Sequence, residues 1–177
     1  MGTTNKPQQV KLFASILFRG NEYPLKTLDI LSAQIGAIEE KTPVAPFPHT
    51  NYYEKELGKD LMRTFILFGA PIERESLSEI KIITNEIEQS FASEGKRAVN
   101  IDPGYVALEH VILATTKGYA HRVHLKNGIY ADLTLMYRNG TYRPLEWTYP
   151  DYAEANTISL FLQWRGHHKK VLKCQKV

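Results

Sequence analysis

The stretch LATTKGYAHR, residues 113–122, puts Thr115, Thr116, Lys117, His121 and Arg122 close together around a glycine. Hydroxyls and cations at a turn can surround a phosphate, and an imidazole beside them can move a proton if a bond is broken. A solvated turn with ordinary surface charges accounts for the same composition. Upstream, Asp102 stands where a strand over KRAVNI gives way to Pro103-Gly104, a common place to expose a polar group on a rigid support. Asp102 suits a helix cap equally well, with Pro103 at the first helical position. Downstream, Asn127-Gly128 predicts a tight hairpin. With those two as the loop, Lys126 faces Ile129, Leu125 faces Tyr130 and Val123 faces Asp132. His121 then shares a sheet face with Asp132 at a diagonal position, from which the carboxylate can orient the imidazole. A one-residue change in the loop reverses that arrangement, and Ile129, Ala131, Leu133 and Leu135 mark the expected core face. The candidate catalytic groups are therefore His121, Asp102 and Asp132, and the candidate ligand-binding groups are Thr115, Thr116, Lys117 and Arg122.

Metal chemistry would have to collect His121, Asp132 and Asp102 with His49 or His124. His121 and His124 have opposite parity in a regular strand, and no HExxH run or Cys/His grouping is present, so no metal ligand is assigned. HTNYYEKELG offers His49, Tyr52, Tyr53, Glu54 and Glu56 as a secondary set whose aromatics can stack a base or simply pack. WTYPDY offers an aromatic wall of Trp147, Tyr149 and Tyr152, or an anchor for a terminal helix. Phosphate loops of the GxxxxGK[ST] type, the GxGxxG fingerprint and the GxSxG elbow are all missing. Arg97 and Asn100 approach the Asp102 end of the strand, but an odd separation points them to opposite faces if both are in it.

These groups need a scaffold, and 177 residues suffice for one good core with little left for a second domain. The expectation is a single compact domain over 1–177, with 1–104 as its core and 105–177 as an extension. A net charge of +3, partly gathered in HHKKVLKCQK, gives mild support for an anionic partner and falls short of a nucleic-acid binder's basic stripe. Cys174 is the lone cysteine and cannot form an internal disulfide, which fits a reducing cytoplasmic setting. No segment approaches the roughly 20 apolar residues of a membrane span.

VKLFASILF reads as a strand, and LKTLDILSAQIGAIEE as a helix with Leu25, Leu28, Leu31, Ile35 and Ile38 on one side. Three prolines in TPVAPFPHTNYY allow only a short edge strand or a loop, before a strand over LMRTFILFG. The strongest helix is SLSEIKIITNEIEQSFASEG, with a Ser76/Glu79 capping box, a stripe through Ile80 and Ile87, and Gly95 as its stop. With KRAVNI this gives strand, helix, weak strand, strand, helix, strand, the order of a ferredoxin-like split β-α-β core in an α+β protein. A helix over PGYVALEHVILATT, whose Val and Ile content also allows a strand, leads to the hairpin and then to a terminal helix over AEANTISLFLQWRGHHKK. That helix is expected to bury Ile158, Leu160, Phe161 and Leu162.

TNYYEKELG, LSEIKIITNEIE, GKRAVNIDPGY, LATTKGYAHRVHL, GIYADLTLMY and WTYPDY together resemble the bacterial family catalogued as domain of unknown function 4416. The resemblance spans nearly the whole chain and implies a small bacterial cytosolic protein, with no activity or cofactor attached. The residues themselves lead to an expectation of a protein that binds a phosphate-bearing small molecule or nucleotide. The alternatives are a metal-assisted phosphoester or phosphoanhydride hydrolase, with magnesium as the metal, and a non-enzymatic interaction module.

Overall fold

A computed structural model describes residues 1–20, 24–49, 54–93 and 95–174. Strand β1, Val10–Arg19, is buried at nine of its ten positions, because helices cover both faces of the sheet in which it is central. Its Val10, Leu12, Ala14, Ile16 and Phe18 join one core cluster, while Phe13 joins another on the opposite face.

Helix α1, Leu25–Gln34, and α3, Leu77–Ser90, which the single turn of α2, Glu54–Leu57, separates in sequence, pack into the first cluster through Leu28, Leu31, Leu77, Ile80 and Ile87. Helix α4, Ala155–Cys174, covers the other face with Phe161 and Trp164 against Phe13, Phe65 and Leu67. Ile158, Leu160 and Leu162 are only partly buried there, and His168 and Leu172 continue the buried stripe. Among the described residues no helix is long and apolar enough to cross a membrane.

The remaining strands are β2, Ile38–Lys41; β3, Ala45–Pro46; β4, Leu61–Ile72; β5, Val99–Val106; β6, His110–Thr115; β7, Arg122–Lys126; β8, Ile129–Arg138; and β9, Thr141–Pro144. They form one sheet in the order β2-β4-β1-β5-β6-β8-β7, with β3 on β4 and β9 on β8. Every pairing is antiparallel. The fold is thus mixed α/β, built on a large antiparallel sheet with three long helices, and the sheet continues without interruption from the first half of the chain into residues 110–144.

Several expectations are corrected. The first helix stops at Gln34 rather than running to Glu40, because Gly36 takes φ +147 and releases residues 38–41 to pair with β4. Ser76 does not cap α3: a turn of 3-10 helix, Arg74–Ser76, precedes it, and Ser76 is already helical with no capping bond. Asp102, Pro103 and Gly104 lie inside β5, where Pro103 pairs with Ala14, so Asp102 caps no helix. Residues 110–115 are strand, the alternative that their Val and Ile content allowed. Pro103 is tolerated because the β6 ladder begins only at Gly104.

The hairpin turn forms at Asn127 (φ +54) and Gly128 (φ +74), the two left-handed residues that such a loop requires. Lys126 faces Ile129 as expected, but a bulge at Leu125 then shifts the register, so that His124 faces Tyr130, Val123 faces Ala131 and Arg122 faces Asp132. A second irregularity, between Val111 and Ile112 against β8, splits the expected core face. Ile129, Ala131 and Leu133 pack with the first cluster, and Leu135 with the second.

Candidate functional site

β5 and β6 pair only through Gly104–Val106 and Val111–Leu113, so among the described residues the first half of β5 has β1 on one side and no strand on the other. Two side chains from α3 take the place of the missing neighbour. The buried Glu88 accepts a 2.7 Å bond from the Ile101 N–H, and the buried Lys81 donates a 2.8 Å bond to the Ile101 carbonyl. Their charges are joined on the same edge. Lys81 Nζ also reaches Asp102 Oδ1 at 3.3 Å and lies 3.9 Å from Glu88. Arg97 bonds Glu88 at 2.5 Å, Asn100 Oδ1 at 3.0 Å and Glu56 through two of its nitrogens. Arg97 precedes β5, so the parity that would have separated it from Asn100 does not apply.

Where the strands part, a cleft of about 690 Å³ opens on the α4 face. Its floor is Ser15, Asn100 and Asp102 with Lys81 and Glu88. Asp102 Oδ2 also accepts from Asn100 at 2.7 Å, and its side chain remains 31% exposed. One wall is Thr115, Thr116, Lys117, Arg122 and Asp132; the loop before α4 adds Tyr149 through Tyr152, joined to that wall by a hydrogen bond between Arg122 and Tyr149. His49 and Phe47 complete the rim.

Six of the seven candidate residues therefore line one cleft. His121 is the exception. It lies just before β7 and stacks on Trp147 with ring centroids 4.9 Å apart and planes 13° apart, and it does not line the cleft. Its Nε2 is 3.5 Å from Asp132 Oδ2 without a hydrogen bond of normal geometry. Asp132 is held instead by Arg122, whose Nε donates at 2.9 Å, a direct cross-strand pair created by the Leu125 bulge. Arg122 further donates to the Lys117 carbonyl at 3.1 Å and to the Tyr149 hydroxyl at 2.8 Å. Thr115 Oγ1 accepts from the Lys117 N–H at 3.2 Å, which fixes the turn after β6.

Burial raises the pKa of Glu88, against the opposing pull of Lys81 and the Ile101 N–H. Burial likewise raises Asp151, which is ion-paired to Arg63, itself stacked over Phe47 and Phe65. The cleft thus carries alternating charges rather than a run of one sign. Among the described residues, no three His, Cys, Asp or Glu side chains are grouped to hold a metal. His49 instead approaches Glu154 at 3.4 Å, and His124 packs on Tyr130. Tyr52, Tyr53 and the Glu54 side chain lie outside the described residues.

Lys81 and Glu88 were missed from sequence, although a signal existed. Seven residues apart, they fall on the same face as Leu77 and Thr84, so opposite charges interrupt the buried stripe at helical spacing. In sequence, Tyr149 and Tyr152 suggest only an aromatic wall or an anchor. Tyr152 does both, since its ring packs against Phe65 and Phe161 while the residue also lines the cleft.

The model of a family described as domain of unknown function (DUF4416) matches residues 8–168. Comparison with curated proteins and with solved structures finds no match.

Proposed function

This chain belongs to the DUF4416 family, and we propose that it binds a phosphate-bearing small molecule or nucleotide in the cleft between β5 and β6. The observation that carries the reading is the wall on which Thr115, Thr116, Lys117 and Arg122 stand together. Arg122 is built for such a role. Of the five N–H donors of a guanidinium, three are engaged among the described residues, by Asp132, the Lys117 carbonyl and Tyr149, which fixes the plane of the group and leaves two for a phosphate oxygen. Holding the side chain in place beforehand lowers the ordering cost of binding.

Binding without cleavage is favoured over phosphoester hydrolysis because His121, the intended proton carrier, is stacked on Trp147 away from the cleft lining. We assign no stable nucleic-acid partner, given a net charge of only +3, and we place the protein in the bacterial cytoplasm. The order β2-β4-β1-β5, with α1 and α3 packed into the same core cluster, supports reading the first half as a ferredoxin-like split β-α-β repeat.

A thermal-shift screen of phosphate-bearing metabolites and nucleotides tests the binding reading, since a ligand selective for the folded state raises its melting temperature. Stabilisation that falls with added salt and is reduced in Lys117→Ala and Arg122→Ala is the expected result. Equal stabilisation of all three proteins would move the site elsewhere.

A further inference from the structure

The floor of the cleft has a different chemistry from its cationic wall. Asp102 and Asn100 stand there on β5 beside Ser15 on β1, which pairs with Asp102. Tyr152 reaches the same floor from the loop before α4, with a residue exposure of only 5%. Its hydroxyl lies beside that of Ser15, but makes no hydrogen bond of ordinary geometry among the described residues. Burial first, and then the Asp151 and Asp102 carboxylates, push its phenol well above the usual pKa, with Arg63 and Ser15 opposing. The hydroxyl is thus a neutral donor set among carboxylates.

A buried hydroxyl without a partner is costly, and in a ligand cleft it marks a position that a ligand atom completes. The neighbouring groups decide which atom. The floor's cations are already taken, Lys81 by the Ile101 carbonyl, Asp102 and Glu88 and Arg97 by Glu88, Asn100 and Glu56, so a phosphate finds its donors at the Thr115–Arg122 wall. An ammonium would suit Asp102 but has no lone pair to accept from the Tyr152 hydroxyl. An alcohol does both: it accepts from Tyr152 and donates to Asp102.

Resting on the reading of the cleft as a phosphate site, we infer that its ligand is a phosphorylated polyol, such as a sugar phosphate. Its hydroxyls occupy the Ser15–Asp102–Tyr152 floor and its phosphate lies at Lys117 and Arg122. Tyr152 is then a specificity-determining residue, because it distinguishes a hydroxylated phosphate ester from phosphate alone.

Calorimetric titration with inorganic phosphate, ribose 5-phosphate and ribose separates the two levels of the argument. Ribose 5-phosphate is expected to bind most tightly. Tyr152→Phe should weaken it by about tenfold, the worth of one well-made hydrogen bond, and leave inorganic phosphate unchanged. The same variant should change the melting temperature of the ligand-free protein little, because the hydroxyl it removes has no hydrogen bond of ordinary geometry among the described residues; a merely structural tyrosine would lower it clearly. Ser15→Ala provides a second probe of the floor should the phenylalanine variant fold poorly, with the same selective loss expected. Equal affinity for ribose 5-phosphate and inorganic phosphate, or equal weakening of both in the variants, would overturn the polyol floor and leave the phosphate wall standing. Absence of binding by either phosphate compound would overturn the wall itself.

Discussion

Replacing Lys81 by Met tests whether α3 substitutes for a missing strand. The change keeps the length and apolar stem of the side chain but removes the ammonium that bonds the Ile101 carbonyl and Asp102 and faces Glu88. Glu88 would keep Arg97 and the Ile101 N–H, yet its buried carboxylate would lose one of two compensating charges. Breaking a buried charge pair from one side costs roughly 3–5 kcal/mol. That is a large share of the roughly 5–15 kcal/mol that holds a domain folded. At about 2–4 °C per kcal/mol for a chain of this size, the melting temperature should fall by about 6–20 °C. Urea denaturation, followed by fluorescence and circular dichroism together, measures the loss directly and checks that unfolding stays two-state. A companion Glu88→Gln variant keeps an acceptor for the Ile101 N–H, and its combination with Lys81→Met should cost less than the sum of the two single changes. A loss below about 1 kcal/mol for Lys81→Met, the range of an exposed ion pair, would refute the reasoning.

Asp151→Asn probes the loop before α4 through pH. Because the folded carboxyl titrates above its ordinary range, the native state holds more protons than the unfolded state between the two values, and the wild type should lose stability relative to the variant as pH rises through that window. Melting curves of the two proteins across the acidic range give the difference, and a constant offset would contradict it. Gly104→Ala should cost about 3 kcal/mol in urea denaturation. Its methyl would lie 2.5 Å from the Ile112 carbonyl oxygen and 2.8 Å from the Phe13 ring, both inside the sheet and core. A neutral substitution there would show that β5 and β6 do not meet at this point.

What the sequence disclosed followed the reach of each signal. The stripe on α3, the apolar β1 and the Asn127-Gly128 turn are local patterns strong enough to survive tertiary packing. Asp102-Pro103-Gly104 carried an equally strong local signal for a turn, but β1 pairs along the entire segment and draws it into the sheet. Residues 38–41 were too short to declare themselves against the preceding helical pattern, and only the β4 edge makes them a strand. The candidate site was legible as a set of residue types, and six of seven came together. Their detailed partnerships were not, because one bulge at Leu125 exchanged Val123 for Arg122 opposite Asp132. Nothing near the Thr115 turn in sequence announces that Lys81, Glu88 and Tyr152 reach the same cleft; that follows from the parting of β5 and β6.

Titration of the isotope-labelled protein with ribose 5-phosphate, followed amide by amide in nitrogen-proton correlation spectra, asks most directly where a phosphate-bearing ligand sits. The account predicts saturable shifts concentrated at Thr115, Thr116, Lys117 and Arg122, extending to Asp102 and Tyr152. Shifts confined to the basic end of α4 around His167–Lys170, with the cleft unmoved, would contradict it.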